Sequence, residues 1–237
     1  MLILSIEAST EYLSLAVGTG VRVHAYEAHA GQRHSEWVLG AVDRLLGEAG
    51  FAASALQLVA FGAGPGSFTG LRIACGVAQG LALAGGVPAV AVDSFRAIAA
   101  GCNDAERVAV AMDARMGEVY FAALERDDGR WREFAPAVVC QPGDVPRLPP
   151  GRWVAAGTGF AVHQPALLSA LGTTFDRVDI EARPGAAAID ALARLDVAAG
   201  LAIDPALAAP RYVRDRVALT TLERRVKAQA ALVKASP

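Results

Sequence analysis

A glycine-rich loop at residues 62–67 is the first feature of the chain with the potential for chemistry. Its sequence, GAGPGS, leads into a long apolar helix whose only charged residue is Arg72. Backbone N–H groups at such a helix start bind phosphate in many proteins. A P-loop, however, has Lys and then Ser/Thr after its last glycine, whereas Gly70 is followed by Leu71 and Arg72. The dinucleotide pattern G-x-G-x-x-G also fails, because Thr69 stands at its last glycine. The loop therefore predicts a sharp chain reversal.

Histidine, cysteine and hydroxyl side chains give no clear catalytic pattern. His24, His29 and His34 are spaced so that no two share a helical face, whereas a metal site needs about three or four ligands. The cysteines are widely spaced without a C-x-x-C pair, so we interpret them as reduced and buried. No G-x-S-x-G motif occurs, and Ser67 and Thr69 are interpreted as loop-bonding or capping hydroxyls. The sequence predicts no metal, cofactor or catalytic residue.

Hydrophobic periodicity and turn residues predict the order β-β-β-α-β-α-β-α, which then begins again. Glu7 and Asp113 each follow an apolar strand and precede a hairpin, as expected for an internal repeat. Residues 141–152 contain four prolines and predict an irregular connection. The predicted strands are 2–8, 12–17, 21–26, 58–61, 88–92, 108–113, 118–124, 132–136 and 153–156, and the predicted helices are 34–49, 70–84, one with Ser94 as its N-cap, and 186–199.

Two rows of small residues run along the predicted helix 70–84. Residues four apart share a helix face, and the rows are Gly70, Ala74, Ala78 and Ala82 on one side and Gly76, Gly80 and Ala84 on another. Each interior glycine costs about 0.8–1 kcal/mol relative to alanine, so we expect another backbone to approach closely. Two interpretations remain open: the helix is buried all round in the core, or one row faces the core and the other faces a partner chain.

Composition is that of a well-packed globular protein. Hydrophobic residues make up 54% of the 237 residues and charged residues 19%, and a net charge of −2 argues against a general nucleic-acid binder. The apolar stretch 74–92 is interrupted by Gln79, glycines and Pro88, so no membrane span is predicted. The N-terminus lacks the basic region of a signal peptide. We therefore expect a cytoplasmic protein without membrane contact.

Positive charge is concentrated at the C-terminal end. Residues 211–237 carry seven basic and two acidic side chains, which gives this segment a net charge of +5. Such a segment either contacts RNA or an acidic partner, or forms a solvated helix face. The candidate contact residues are Arg224, Arg225 and Lys227.

Three separated segments resemble a known family. GPGSFTGLRIACGVAQGLAL (residues 64–83), MDARMGEVYFA (residues 112–122) and PRYVRDRVA (residues 210–218) are similar, in this order, to the TsaB (YeaZ) family, and the similarity spans nearly the whole chain. Together with the repeated order of elements, the resemblance implies the duplicated α/β fold of actin, Hsp70 and the sugar kinases, which is ribonuclease H-like, with a degenerate second half. The expected domains are residues 1–103 and 104–206, with residues 207–237 packed back on the first.

The resemblance implies a non-catalytic scaffold for the paralogous TsaD transferase, which makes N6-threonylcarbamoyladenosine at position 37 of tRNAs that read ANN codons. The expected partners are TsaD, the TsaE ATPase and a second copy of the chain, with tRNA reached through the complex. Helices 34–49 and 70–84 would form the interface with TsaD or with the second copy. The expected interface residues are Trp37, Gly40, Arg44, Arg72, Gly76, Gln79, Gly80 and Leu83, and the family-motif loop is Gly64, Pro65, Gly66, Ser67 and Thr69.

An enzyme of the same fold is the alternative, either metallopeptidase-like or a small-molecule kinase. TsaD holds a metal through two histidines one helical turn apart, whereas Val38 stands one turn after His34 here. Actin-like ATPases have Asp and Gly in the first hairpin, where this chain has Glu7 and Ala8. The bulky Arg115 in the second hairpin also argues against close approach of a phosphate.

Overall fold

Two five-stranded sheets organise residues 1–213, the part of the chain that the computed structural model describes. The first sheet has the spatial order β3-β2-β1-β4-β5, in which β1 is central. β1 pairs antiparallel with β2 and parallel with β4. Its strands are β1 (Ile3–Glu7), β2 (Tyr12–Gly18), β3 (Val23–His29), β4 (Leu58–Gly64) and β5 (Ala89–Asp93).

The second sheet repeats this topology strand for strand, in the order β10-β9-β6-β7-β8. Its central strand β6 pairs antiparallel with β7 and parallel with β9. A short 3-10 helix at Pro142–Asp144 stands where the first half has its first α-helix. The strands are β6 (Arg107–Asp113), β7 (Val119–Asp127), β8 (Arg130–Cys140), β9 (Val154–Ala156) and β10 (Arg177–Asp179). The predicted duplicated α/β fold with a degenerate second half is confirmed.

The described residues contain five α-helices, whose starts and ends follow local signals. α1 buries the periodic side chains of Val38, Val42 and Leu45 and is capped by Gly50 in the left-handed region, at φ 76°. α2 begins after Ser67, whose hydroxyl accepts a hydrogen bond from the Gly70 N–H at 3.3 Å. The helices are α1 (His34–Ala49), α2 (Phe68–Gly85), α3 (Ser94–Gly101), α4 (Thr158–Leu171) and α5 (Ala186–Ala198).

The predicted cap of α3 is wrong by one residue. Asp93 is the N-cap, and its carboxylate accepts a hydrogen bond from the Arg96 N–H at 3.1 Å. Ser94 is the first helical residue and is fully buried, with its hydroxyl 3.5 Å from that of Ser9. Both residue types cap helices well, and the carboxylate takes the position because Ser94 is packed under the first hairpin.

Three apolar cores lie between the layers of helices and sheets. α1 and α2 cover one face of the first sheet, α3 and α5 lie between the two sheets, and α4 covers the outer face of the second sheet. α5 comes from the second half yet packs against β1, β2, β4 and β5, while α3 contacts β6, β7 and β8. Each half therefore completes the core of the other, and the division at residues 103/104 stays a prediction.

A buried ion pair joins the two helices between the sheets. The Arg96 guanidinium on α3 donates two hydrogen bonds to the Asp196 carboxylate on α5, at 2.8 and 2.9 Å. The Asp196 side chain is only 6% exposed. Such a bidentate pair fixes the orientation of the two helices, since removing either partner leaves a buried charge.

Candidate protein-interaction surface

The two small-residue rows of α2 face opposite environments. Gly70, Ala74, Ala78 and Ala82 are buried against the first sheet, whereas Gly76, Gly80 and Ala84 are exposed. A Cβ added at Gly76 or Gly80 would meet no atom within 4 Å. The outward row is therefore open, and these two glycines serve no packing within the described chain.

Leu39, Phe68 and Leu83 add exposed apolar side chains to the same two helices. They are 59%, 41% and 54% exposed, respectively. Leu39 lies on the exposed side of α1 beside the exposed Gly40. Gly40 and Leu83 were predicted interface residues, whereas Leu39 and Phe68 were not. Leu39 lies within the predicted helix 34–49, but Phe68 precedes the predicted start at residue 70, because α2 begins two residues earlier. We call Leu39, Phe68, Gly76, Gly80 and Leu83 the outward α1–α2 face.

Trp37 and Arg44 lie on the other flank of α1. Trp37 is half-buried, and the Arg33 guanidinium stacks over its ring at 4.3 Å. The Arg44 guanidinium lies 5.7 Å from the ring of Tyr26 on the edge strand β3. α2 packs on β4, at the opposite side of the sheet. Arg44 thus lies on the side of α1 that is next to β3, and the contact of Trp37 and Arg44 with a partner stays a prediction.

Polar residues of α2 hold the chain segment that precedes the C-terminal end. The Gln79 amide donates to the Pro205 carbonyl at 3.0 Å, and the Arg72 guanidinium donates to the Tyr212 hydroxyl at 3.0 Å. The Tyr212 ring lies 5.4 Å from that of Phe68. Gln79 and Arg72, both predicted to contact a partner, therefore bind this chain's own residues 205–212 along one flank of the outward α1–α2 face.

An open groove of about 460 Å³ continues this surface beyond Leu83. Its walls come from the end of α2 and from the segment that returns along it. They include Ala82, Val87, Pro88, Ile203 and Pro205. The apolar surface is thus a strip along α2 that ends in a groove.

Hydrogen bonds to the first hairpin occupy the family-motif loop. The Ser67 N–H donates to the Ser9 carbonyl at 2.7 Å, and a Cβ at Gly66 would collide with Ser9. A Cβ at Gly70 would collide with the Ala8 carbonyl. The glycines thus allow the hairpin backbone to sit on the start of α2, which accounts for the chain reversal predicted at this loop. Pro65 is buried after a cis peptide bond, and Thr69 is exposed.

Glu7 ends β1 below this hairpin and is 1% exposed. One carboxyl oxygen accepts a hydrogen bond from the Ser9 N–H. No donor among the described residues reaches the other oxygen, Oε2, which lies where a Cβ at Gly62 would be. Burial raises the pKa of Glu7 from 4.5 to about 7, although hydrogen bonds from Ser9 and Ala8 oppose the rise. The carboxyl is therefore packed against backbone rather than directed into an open cleft.

An ion-pair network closes the gap between the two hairpins. Asp113 accepts a hydrogen bond from the Arg115 N–H at 2.9 Å and pairs with its guanidinium at 3.2 Å. The same guanidinium reaches Glu11 of the first hairpin at 3.0 Å. Arg115 has φ 63°, in the left-handed region. Arg115 and Glu11 are 73% and 60% exposed, so the pair contributes little stability, but it places a protein cation between the hairpins.

His34, the first residue of α1, is buried, and its Nε2 lies 3.2 Å from the Tyr12 carbonyl oxygen. Within residues 1–213, no group of three His, Cys, Asp or Glu side chains is arranged to hold a metal. Val38, one turn along the helix, belongs to the apolar core. The structure thus gives His34 a local hydrogen-bonding role.

α2 is the one helix in the described part of the chain with the length and mean hydropathy, 1.2, of a membrane span. It connects the parallel strands β4 and β5 and packs on β4. This is the position of a crossover helix in an α/β sheet. We therefore interpret its apolar sequence as sheet packing on one side and exposed small and apolar residues on the other. The predicted contacts Arg224, Arg225 and Lys227 lie outside the described residues.

Residues 28–218 match the sequence model of the family described as TsaD, tRNA N6-adenosine threonylcarbamoyltransferase. The tRNA threonylcarbamoyladenosine biosynthesis protein TsaB of Escherichia coli strain K12 is 39% identical over 167 residues, which cover 68% of this chain and 72% of that protein. This chain belongs to the TsaB (YeaZ) family. The Haemophilus influenzae protein of the same name is 34% identical, with 68% of this chain and 73% of the relative covered.

A solved structure of YeaZ from Pseudomonas aeruginosa shares the fold throughout. It superimposes with a TM-score of 0.82 at 35% sequence identity, covering 89% of this chain and 99% of that one. The duplicated actin-like architecture of the described residues is thus the architecture of the TsaB family. The resemblance identified from the three sequence segments is confirmed.

Proposed function

We propose that this chain is a non-catalytic subunit that supports a TsaD transferase in forming N6-threonylcarbamoyladenosine at position 37 of tRNAs that read ANN codons. The observation that carries the proposal is the outward α1–α2 face of this TsaB-family member. There, Gly76 and Gly80 leave open space on a helix that would be more stable with alanine. A backbone from a partner fills such space, and Leu39, Phe68 and Leu83 supply the surrounding apolar contact.

Homology between the two subunits supports a symmetric mode of docking. Because the TsaD family model matches residues 28–218, a TsaD subunit carries counterparts of α1 and α2. Two related helix pairs can face each other across a two-fold axis, as in an isologous dimer. A second copy of this chain can occupy the same surface, so a homodimer would compete with TsaD. The TsaE ATPase joins this assembly as the expected third protein.

Contacts in the hairpins support the non-catalytic role. Arg115 pairs with Asp113 and Glu11 in the gap between the hairpins. The Nε2 atom of His34 is in hydrogen-bonding contact with the Tyr12 carbonyl oxygen. A subunit with these contacts contributes shape and positioning to the complex, while TsaD supplies the chemistry. We place the protein in the cytoplasm, where tRNA is modified.

Co-purification with TsaD and a tRNA modification assay that omits each component in turn test this function. We expect the chain to bind TsaD and its omission to abolish modification. The chain alone should hydrolyse neither peptides nor ATP above the background rate. A rate that disappears in His34→Ala or Asp113→Ala would instead establish the enzyme alternative, a metallopeptidase or a kinase. Full modification without this chain would contradict the scaffold role.

A further inference from the structure

An arginine and two aromatic rings form a layered cluster at the start of α2. The Cζ atom of Arg72 lies 4.0 Å from the centre of the Phe68 ring, and its Nε donates to the Tyr212 hydroxyl at 3.0 Å. The two rings are 5.4 Å apart and inclined by 32°. Phe68 and Tyr212 are 41% and 44% exposed, and Arg72 is exposed as well. We call Phe68, Arg72 and Tyr212 the stacked cluster, whose members hold one another in place while they stay accessible from solvent.

The positive charge of the stacked cluster has no acidic counterpart nearby. Residues 62–85 and 205–212 form the loop, α2 and the segment beside it, and their only charged side chains are Arg72 and Arg211. Arg211 lies 3.5 Å from the buried Asp93 carboxylate. Among the described residues, no carboxylate pairs with Arg72, and its hydrogen bond to the protein uses Nε alone. The two Nη groups of Arg72 are therefore available as donors to an anion.

A second exposed ring beside an arginine has its charge compensated. Phe134 on the edge strand β8 is also 41% exposed, and Arg107 lies 5.7 Å from its ring. That guanidinium pairs with Glu125 at 3.6 Å. The stacked cluster, in contrast, combines exposed rings with an uncompensated cation. It therefore suits an anionic ligand that contains a flat ring, and Phe134 supplies a matched control.

We propose that Tyr212 and Arg72 bind one nucleotide of the tRNA, with the tyrosine ring stacked on an unpaired base and the Nη groups donating to a phosphate. Unpaired bases stack on aromatic rings and guanidinium planes in RNA-binding proteins. A guanidinium also binds phosphate through paired hydrogen bonds. The choice of tRNA rests on the proposed function, whereas the fit to an unpaired nucleotide rests on the cluster alone.

The stacked cluster lies directly beside the proposed docking surface. Arg72 stands one turn before Gly76 and two turns before Gly80 on the same side of α2, so Gly80 lies about 12 Å from it along the helix. A TsaD subunit docked on the outward α1–α2 face would hold its tRNA next to Tyr212. Phe68 supports the guanidinium and keeps its place in the docking face. The chain would thus contribute to substrate binding as well as to docking.

Tyr212→Ala in the full-length chain tests the stacking contact. The complex of each variant with TsaD is assembled, and its affinity for fluorescently labelled tRNA is measured by anisotropy. We expect Tyr212→Ala to weaken tRNA binding about tenfold, which corresponds to roughly 1.4 kcal/mol. Tyr212→Phe keeps the ring and should retain most of the affinity. Phe134→Ala removes an equally accessible ring elsewhere and should leave the affinity unchanged.

Arg72→Gln tests the phosphate contact separately. The loss of one contact to a single strand should make the salt dependence of tRNA binding shallower by about 0.7 log unit per decade of salt. Tyr212→Ala should leave this dependence unchanged, because the group that is lost is uncharged. TsaD binding and the melting temperature should match those of the native chain in both variants, since the altered side chains are exposed.

Three results would overturn the nucleotide contact. The first is an unchanged tRNA affinity in Tyr212→Ala, and the second is an equal loss in Phe134→Ala. The third is weaker TsaD binding by Tyr212→Ala and Arg72→Gln with no change in the tRNA affinity of the assembled complex, which would assign the stacked cluster to a protein partner.

Cross-linking of the chain alone separates this inference from the proposed function. If the chain does not bind TsaD, the proposed function fails, and tRNA that contains 4-thiouridine is then irradiated with the isolated chain. A cross-link at Tyr212 that disappears in Tyr212→Ala would support the nucleotide contact on its own. A cross-link elsewhere, or none, would contradict it.

Discussion

Replacement of the buried Glu7 by glutamine should stabilise this protein, and the gain should grow with pH. Glutamine has nearly the same shape, and its carbonyl can accept the hydrogen bond from the Ser9 N–H. It cannot ionise. The native carboxyl has an oxygen without a donor among the described residues, in a site that is 1% exposed. A negative charge there is unfavourable, which is why its pKa is raised.

The size of the effect follows from the pKa of Glu7 in the two states. In the folded protein burial raises it to about 7, from 4.5 without burial. Between these values the unfolded chain has lost the proton that the folded chain retains, so stability falls as pH rises. The penalty is absent below pH 4.5, increases by about 1.4 kcal/mol per pH unit, and is complete above pH 7 at about 3 kcal/mol. Glu7→Gln removes this penalty.

Urea unfolding of the full-length chain, followed by tryptophan fluorescence at pH 5, 6, 7 and 8, measures the gain. The stability difference between Glu7→Gln and the native chain should be near its minimum at pH 5 and largest at pH 8. Glu36→Gln, which removes an exposed carboxylate from the first turn of α1, controls for the loss of one negative charge. A Glu7→Gln protein that is less stable than the native chain at pH 8, or a difference that does not change with pH, would refute the reasoning.

Gly80→Leu should weaken TsaD binding by about 2 kcal/mol or more and leave the melting temperature unchanged, because open space surrounds the position. Gly70→Ala must displace the Ala8 carbonyl, so it should instead lower stability by about 1–3 kcal/mol in thermal unfolding. Unfolding of the Gly80→Leu chain itself would place that row in the core. Arg96→Met should lower the free energy of unfolding in urea by about 3 kcal/mol, because the buried Asp196 carboxylate loses its partner. The double variant Arg96→Met/Asp196→Leu should recover most of this stability. If it recovers none, the broken ion pair is not the cause of the loss. Charge reversal of Arg224, Arg225 and Lys227 to glutamate should reduce tRNA modification but leave the melting temperature unchanged. The salt dependence of modification should also become shallower, by about 0.9 log unit per decade of salt for each duplex phosphate contact that is lost. Full activity at every salt concentration would show that these residues are only solvated.

Local patterns predicted α1, α2, α3 and α5 and the duplicated topology because their causes are local, whereas α4 and β10 were not predicted. The periodicity of α1 and the left-handed Gly50 fixed its bounds at residues 34–49. Strand β8 was predicted to end at Pro136 but continues to Cys140. β8 is an edge strand, where a proline need not donate to a neighbour, and the pairing with β7 shifts between Ala135 and Val138. The edge position of a strand is not visible in its own residues.

The surroundings of the candidate site depend on contacts between distant parts of the chain. Polar Gln79 and Arg72 on an outward helix face suggest partner contacts, yet Pro205 and Tyr212 meet them. The sequence does not show which later segment passes beside α2. Likewise Arg115 was recognised as an obstacle to phosphate, but its pairing with Glu11 depends on how closely the two halves approach. Which row of α2 is open became clear only from the packing on the first sheet.

The exchange of helices between the halves has a consequence for synthesis on the ribosome. One face of the first sheet, which includes Ile3, Leu58 and Val90, is covered in part by Ile189 and Leu192 of α5. Until these late residues leave the exit tunnel, the nascent first half exposes that apolar face. We therefore expect the two halves to fold together after translation of α5 and not one after the other. A nascent chain stalled before residue 186 would then be a natural client for chaperones.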